Sequence, residues 1–103
     1  MNTYKLRITT PSEDAYDGEA LQLSVRAADG DIGILAGHIP FVSAVLECEC
    51  RVYLPSGEMK RADCSGGLLT VSEEGVRLLC SEFTWKENKG SMSIVGVKEN
   101  KTN

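Results

Sequence analysis

An all-β fold, a sandwich or a barrel, is what this 103-residue sequence predicts, and three observations carry that reading. Apolar and polar residues alternate with period two in successive runs, as in Tyr4-Lys5-Leu6-Arg7-Ile8 and Leu46-Glu47-Cys48-Glu49-Cys50-Arg51-Val52. Glycine- and proline-rich turn signals divide these runs at short intervals. No segment places apolar residues at the spacing of a convincing helix.

The first strand starts at Tyr4, with Tyr4, Leu6 and Ile8 on one face and Lys5, Arg7 and Thr9 on the other, until Pro11 stops it. Ser12 to Asp14 is polar, and Ala15 to Asp17 makes a short extended piece. Gly18 then opens a longer strand in which Leu21, Leu23, Val25 and Ala27 share a face opposite Gln22, Ser24 and Arg26. Asp29 to Pro40 reads as two turns around a short apolar strand, Ile32 to Leu35. Gly30, Gly33 and Gly37 permit positive φ or close backbone approach, and Pro40 pushes Ile39 toward an extended conformation. Phe41 to Leu46, almost free of polar residues, fits a buried strand or a short helix, and the β-branched Val42 and Val45 favour the strand.

Leu46 to Leu54 alternates, Pro55-Ser56-Gly57 turns, and Glu58 to Cys64 returns as the second arm of a hairpin. Ala62 and Cys64 face inward there, and the outer face is charged. Ser65-Gly66-Gly67 breaks the chain again, Leu68 to Ser72 resumes it, and Glu73-Glu74-Gly75 turns it. Val76, Leu78 and Cys80 then line one face of a last strand ending near Glu82. Residues 1–85 form one domain on this reading. Lys86 to Asn103, with four lysines, three asparagines and the apolar cluster Met92 to Val97, reads as a short irregular, flexible tail. The cluster fits a weak extra strand or a disordered end, or else a short partner-binding segment.

A chain of this length builds one hydrophobic core. Its formal net charge of −4 is spread along the sequence, without the basic stripe that nucleic acid requires or a polybasic membrane patch. No run approaches the ~20 apolar residues of a membrane span, and the N-terminus lacks a signal-peptide core, so a cytosol-facing location is expected. Cys48, Cys50, Cys64 and Cys80 allow two disulfides, a zinc site or four reduced thiols. C-x-C in an extended strand lacks the spacing of a zinc knuckle, and the compartment disfavours disulfides. The favoured reading is four reduced thiols acting as small hydrophobes, with Cys48 and Cys50 pointing inward beside Leu46, Val52 and Leu54.

The residues offer little chemistry. The glycines of Asp29 to Pro40 match neither a dinucleotide fingerprint nor a P-loop. His38 is the single histidine, with no nucleophile and carboxylate arranged around it in sequence, and reads as a hydrogen-bonding loop residue. The acid pairs Asp29 and Asp31, Glu47 and Glu49, and Glu73 and Glu74 fall on exposed faces or turns, which is the pattern of a solvated surface. No metal and no cofactor are expected.

The order of four motifs is more specific. Tyr4-Lys5-Leu6-Arg7-Ile8-x-Thr10-Pro11, Tyr16-Asp17-Gly18-Glu19, Gly30-x-x-Gly33-x-Leu35-x-Gly37-His38-x-Pro40, and Ser65-Gly66-Gly67-Leu68 followed by Val71 together resemble the epsilon-subunit family of the rotary F-type ATP synthase, called delta in mitochondria. The resemblance covers roughly residues 3 to 84, the whole N-terminal β-sandwich of that family. It implies two five-stranded sheets packed face to face. It also implies a non-catalytic rotor subunit of the central stalk, which couples the gamma subunit to the membrane c-ring in proton- or sodium-driven ATP synthesis and works with the catalytic head of the complex. The expected location is peripheral, on the cytoplasmic face of the energy-coupling membrane, without membrane insertion.

By the same resemblance, Asp29, Gly30, Asp31 and Ile32 would meet the polar loops of the c-ring, and His38, Ser43 and Ser65 would lie on the gamma-facing surface. One departure is Ala36, where the family usually carries proline. Another concerns the two C-terminal helices that family members usually add. Lys86 to Asn103 is short, and holds Gly90, Gly96 and the β-branched pair Ile94-Val95, so a subunit without the helical brake and without bound nucleotide is expected. The competing reading is a free-standing β-sandwich module that binds a small molecule or sugar through its glycine-rich loop. It would need an aromatic platform or polar pocket, and aromatic residues make up only 6% of the chain. An independent enzyme is the weakest reading, for want of a clustered nucleophile and base.

Overall fold

The computed structural model describes residues 2–86. Over them run β1 (Tyr4–Thr9), β2 (Asp14–Ala20), β3 (Gln22–Ala27), β4 (Gly30–Leu35), β5 (Phe41–Val45), β6 (Cys48–Tyr53), β7 (Met59–Cys64), β8 (Gly67–Ser72), β9 (Gly75–Cys80) and β10 (Phe83–Trp85). Lys86 is the only residue of the expected tail that is described; the rest, with the Met92 to Val97 cluster, lies outside the described residues.

One five-stranded sheet runs β4-β3-β6-β7-β10 and the other β5-β8-β9-β1-β2, so the expected pair of sheets is present. They join at the pair Ala27–Val45, where the ladder turns from one layer to the other. Pairing is antiparallel except between β1 and β9. At the far side the free edges approach each other: the Trp85 indole N–H donates to the Ala15 carbonyl at 3.1 Å. Trp85 also packs edge-to-face on Tyr16 and Phe83, with the Lys60 ammonium 4.5 Å from its ring centre. The result is a nearly closed sandwich.

Both sheets contribute one apolar face to a shared core. Leu6, Ile8, Leu23, Val52, Leu69 and Leu78 are fully buried, and no polar or charged residue is buried among those described. Burying each large aliphatic side chain contributes about 1.5–3 kcal/mol. Outside, Glu49 binds Arg51, Arg61 and Lys86, and Lys86 also reaches Asp63, so the charged face of the β6–β7 hairpin is cross-linked by ion pairs. The Lys86 hydrogen bond holds the Glu49 carboxyl below its usual range, although solvent screens the group.

Several elements differ from the sequence reading. Gly18 lies inside β2, paired with Leu6, rather than opening the next strand, because β1 supplies a partner along that whole length. β4 begins at Gly30 and takes in Gly33. Gly33 pairs with Ser24 inside this strand rather than making a turn, and a Cβ there would meet only the mobile end of the Gln22 side chain at 2.7 Å. The last strand is β10, after a break beyond Cys80, and not β9. Leu46 is exposed and Cys48 only half-buried, since β6 leaves the core at this end.

Tyr4 closes the core from above. Its hydroxyl donates to the Ile34 carbonyl at 2.7 Å across the two layers. Burial pushes its ionisation well above the ordinary 10.0, outweighing the opposing hydrogen bond from the Leu23 backbone. The folded chain therefore keeps a proton that the unfolded chain releases, so this contribution is full below pH 10 and fades as pH rises beyond it. Tyr16 shifts the same way, by burial and the Glu19 charge. Urea titrations at pH 8 and pH 11 should show a smaller alkaline loss of stability in Tyr4→Phe, with about 1 kcal/mol lost at pH 8.

Candidate functional site

The stretch Asp29 to Ile32 forms the tip of the β3–β4 hairpin. Ala28 and Asp29 make the turn, and Gly30 follows at φ 127°, a left-handed value that disfavours a side chain. Asp31 sits opposite Arg26 in the ladder and accepts a hydrogen bond from its Nε at 2.9 Å. That bond and the guanidinium charge lower the Asp31 pKa and raise that of Arg26. Both side chains stay largely in solvent. Ile32 differs from its three neighbours, being half-buried against the core. The tip thus presents backbone, Asp29 and the Arg26–Asp31 pair on a hairpin anchored from below.

His38 is half-buried rather than displayed. Its Nδ1 lies 2.7 Å from the Leu35 carbonyl oxygen and its Nε2 3.2 Å from that of Ser72, so whichever nitrogen carries the proton donates to a backbone carbonyl. The ring packs edge-to-face on Tyr4 at 5.5 Å. His38 therefore fastens the β4–β5 loop to the β8–β9 turn. Ser43 sits half-buried in β5 opposite Leu69, its hydroxyl donating to the Ala44 carbonyl. Ser65 is exposed after β7, bonded to Ser81 at 2.9 Å, and accepts the Glu82 amide hydrogen at 3.0 Å.

These positions do not form one patch. The β5–β8 ladder runs from Phe41–Val71, near His38, to Val45–Gly67, near Ser65. Ala27 pairs with both Val45 and Gly30, so the hairpin tip shares the Ser65 end. His38 lies at the opposite end.

Between them is a surface that sequence reasoning missed. β5 is not the buried strand expected: Val42 is 64% exposed, and with Ala44 it continues into Leu68 and Leu79, 43% and 45% exposed, on the outer face. Ala44 pairs with Leu68, and Leu68 with Leu79, which makes the three a cross-strand row. Leu46 and Ile39 extend the apolar surface beyond either end of β5. A signal was present in the sequence. Leu68-Leu69 and Leu78-Leu79 are adjacent pairs in strands, and period-two geometry forces one of each pair outward. A contiguous outward apolar row of this kind marks an interaction surface.

Among the described residues no group of His, Cys, Asp and Glu is arranged to hold a metal ion, and no helix is long and apolar enough to cross a membrane. What the geometry offers is a stiff body with an apolar face and a charged hairpin tip, suited to holding partners.

Comparison with known proteins places this body. The profile of the ATP synthase delta/epsilon chain β-sandwich domain matches residues 3–86. The ATP synthase epsilon chain of Bacillus velezensis is 40% identical over 99 residues, covering 96% of this chain and 74% of that one. The epsilon chain of Clostridium novyi is 33% identical over 85 residues, 82% of this chain and 65% of the relative. A sodium-ion-specific epsilon chain from Propionigenium modestum is 34% identical over 82 residues, 80% of this chain and 59% of its own. The chain spans just under two thirds of the length of the Clostridium novyi and Ruminococcus albus relatives. Among solved structures, a chain of the Euglena gracilis mitochondrial ATP synthase (OSCP, F1 and c-ring) superposes with a TM-score of 0.76 at 24% identity, covering 81% of this chain and 53% of that one. A chain of the Tetrahymena thermophila mitochondrial central stalk and c-ring gives 0.67 at 10% identity, covering 80% and 66%. At those identities the structures attest the shared fold, while the profile and the bacterial relatives attest descent: the chain belongs to the ATP synthase delta/epsilon family, and its ten strands are that family's β-sandwich domain.

Proposed function

We propose that this chain is a rotor subunit of the central stalk of an F-type ATP synthase, joining the gamma subunit to the c-ring and carrying no catalytic site of its own. The observation that carries the reading is the outward apolar row of Val42, Ala44, Leu68 and Leu79 on the outer face of the second sheet. A family member with such a face has an obvious occupant in gamma, with His38 and Ser65 toward the two ends of the contact and Ser43, on the inward parity of β5, beneath it. The tip Asp29, Gly30, Asp31 and Ile32 is the part that meets the polar loops of the ring: it is a projecting, charged hairpin, matched to a polar partner rather than to lipid. Glycine turns let both surfaces approach closely, and the nearly closed sheet resists shear, as torque transmission requires. His38 supports the non-catalytic reading because both ring nitrogens face backbone carbonyls. The subunit would sit peripherally at the cytoplasmic face of the energy-coupling membrane, in contact with the rest of the catalytic head through gamma.

Affinity purification of this chain from detergent-solubilised native membranes is expected to recover the gamma subunit, the catalytic head and the ring together. Recovery of the chain free of all three would overturn the assignment.

A further inference from the structure

Four thiols gather at one end of the core, separate from the outward apolar row. Cys48 and Cys50 lie in β6 and Cys64 in β7, all on the inner parity of one sheet, and Cys80 meets Cys64 from β9 of the other. All four are free; Cys50, Cys64 and Cys80 are buried and Cys48 is half-exposed. Cys64 is the acceptor of the group. The Gly66 amide donates to its sulfur at 3.4 Å, with the Cys50 thiol alongside, while the Cys80 thiol donates to the Thr9 carbonyl at 3.9 Å. The Cys50 thiol first, and the Gly66 amide after it, hold Cys64 below the usual thiol range against the effect of burial. Its hydrogen bond with Cys64, together with burial, pushes Cys50 up, and burial followed by the Cys64 charge pushes Cys80 up. Of these three thiols Cys64 is the one that gives up its proton most readily.

Ladder geometry selects its covalent partner. Cys48 is directly opposite Cys64, whereas Cys50 is opposite Ala62 and so diagonal to Cys64. Direct partners in an antiparallel ladder have Cα atoms about 4.5–5.5 Å apart, within the range of about 4.4–6.8 Å that disulfides span. Diagonal neighbours lie about 7–8 Å apart, too far without moving the backbone. Cys48 is also the one thiol open to solvent, and it lines a groove of about 510 Å³ together with Arg26 and Arg51. Asp31 and Glu49 on the same groove pair those guanidiniums, so what distinguishes Cys48 is its access to a small oxidant from solvent.

We propose that Cys48 and Cys64 are an oxidisable pair at which a hydroperoxide is reduced and a reversible cross-strand disulfide is formed. The Cys48 sulfur attacks the terminal peroxide oxygen: an S–O bond forms, the O–O bond breaks, and the thiol proton leaves with the other oxygen as an alcohol, or as water from hydrogen peroxide. The Cys64 thiolate then attacks the Cys48 sulfenic sulfur. An S–S bond forms, the S–O bond breaks, and the hydroxide leaves as water with the proton Cys64 had released. Two thiols give up two electrons and one peroxide takes them, and an external dithiol reverses the bridge. Cys50, diagonal to Cys64 in the same ladder, acts as a positioning residue for the Cys64 sulfur.

The full chain, reduced and freed of reductant, is treated with hydrogen peroxide under native conditions, quenched with an alkylating agent and mapped without reduction. The expected result is loss of two hydrogens per chain, a peptide pair joined through Cys48 and Cys64, and recovery of both thiols with dithiothreitol. Cys50→Ser is expected to keep the bridge and slow its formation several-fold, and Cys80→Ser to keep the same connectivity. Because Cys64 is buried, Cys48→Ser is the decisive variant: it replaces a half-exposed side chain and should form no bridge while remaining folded by circular dichroism. A bridge between any other pair in the unmutated chain, stable addition of oxygen at Cys48 without bridging, or native thiols untouched by peroxide would each overturn the proposal.

Discussion

Gly67→Ala is expected to be the most damaging glycine-to-alanine change among the described residues, costing about 3 kcal/mol or more. Gly67 opens β8 and pairs with Val45 on one side and Cys80 on the other, at the seam where the second sheet meets the β3–β5 junction. A Cβ there would overlap the Leu79 carbonyl oxygen, and would lie 2.9 Å from the carbonyl carbon and 3.0 Å from the Cys80 Cα. All three are backbone atoms of a paired strand, so no side-chain rotation relieves the contact. The ladder between β8 and β9 must open instead. Gly57→Ala is the internal comparison. That glycine has φ 95°, and a Cβ there would meet nothing within 4 Å, so only the left-handed conformation is penalised, by about 1–2 kcal/mol. Urea denaturation of the two variants should rank them in that order; equal midpoints would show that the β8–β9 seam has slack.

Leu68→Asp is expected to leave the sandwich folded and weaken binding to purified gamma about 30-fold or more. Leu68 stands at the middle of the outward row, between Ala44 and Leu79, and is 43% exposed in the isolated chain. Substitution at such a site changes stability little, whereas a carboxylate at the centre of an apolar interface removes a contact of hot-spot size, about 2 kcal/mol or more. Asp31→Lys is the complementary variant. It reverses charge at the hairpin tip, which belongs to the other sheet from the row, and should spare gamma affinity while loosening attachment to the ring-bearing membrane sector. Titration by calorimetry and membrane-binding assays separate the two effects. A Leu68→Asp chain that binds gamma with unchanged affinity would move the contact off this face.

What was legible in the sequence was whatever depends on neighbours along the chain. The alternation of Tyr4, Leu6 and Ile8, of Leu23, Val25 and Ala27, and of Val76, Leu78 and Cys80 places each of these side chains in the core. Turn chemistry at Pro55-Ser56-Gly57 and Glu73-Glu74-Gly75 delimits the two hairpins β6–β7 and β8–β9. Period-two geometry and backbone φ preferences act over a few residues, so a linear reading captures them. Motif order even identified the family, because turns and close approaches need particular residues at particular places.

The partners chosen across the fold were decided only in three dimensions. β10 is three residues long, too short to show a period, and it exists because Ala62 to Cys64 offers an edge and Ala15 a carbonyl for Trp85. Gly18 continues β2 because β1 lies alongside. His38 is the hydrogen-bonding loop residue its sequence context suggests, but its second carbonyl comes from Ser72, thirty-four positions away. Which face of β5 remains open, and which thiol stands opposite Cys64, likewise follow from strand register. Register is a property of two segments at once, set by the packing of both sheets against one core, and neither segment encodes it alone.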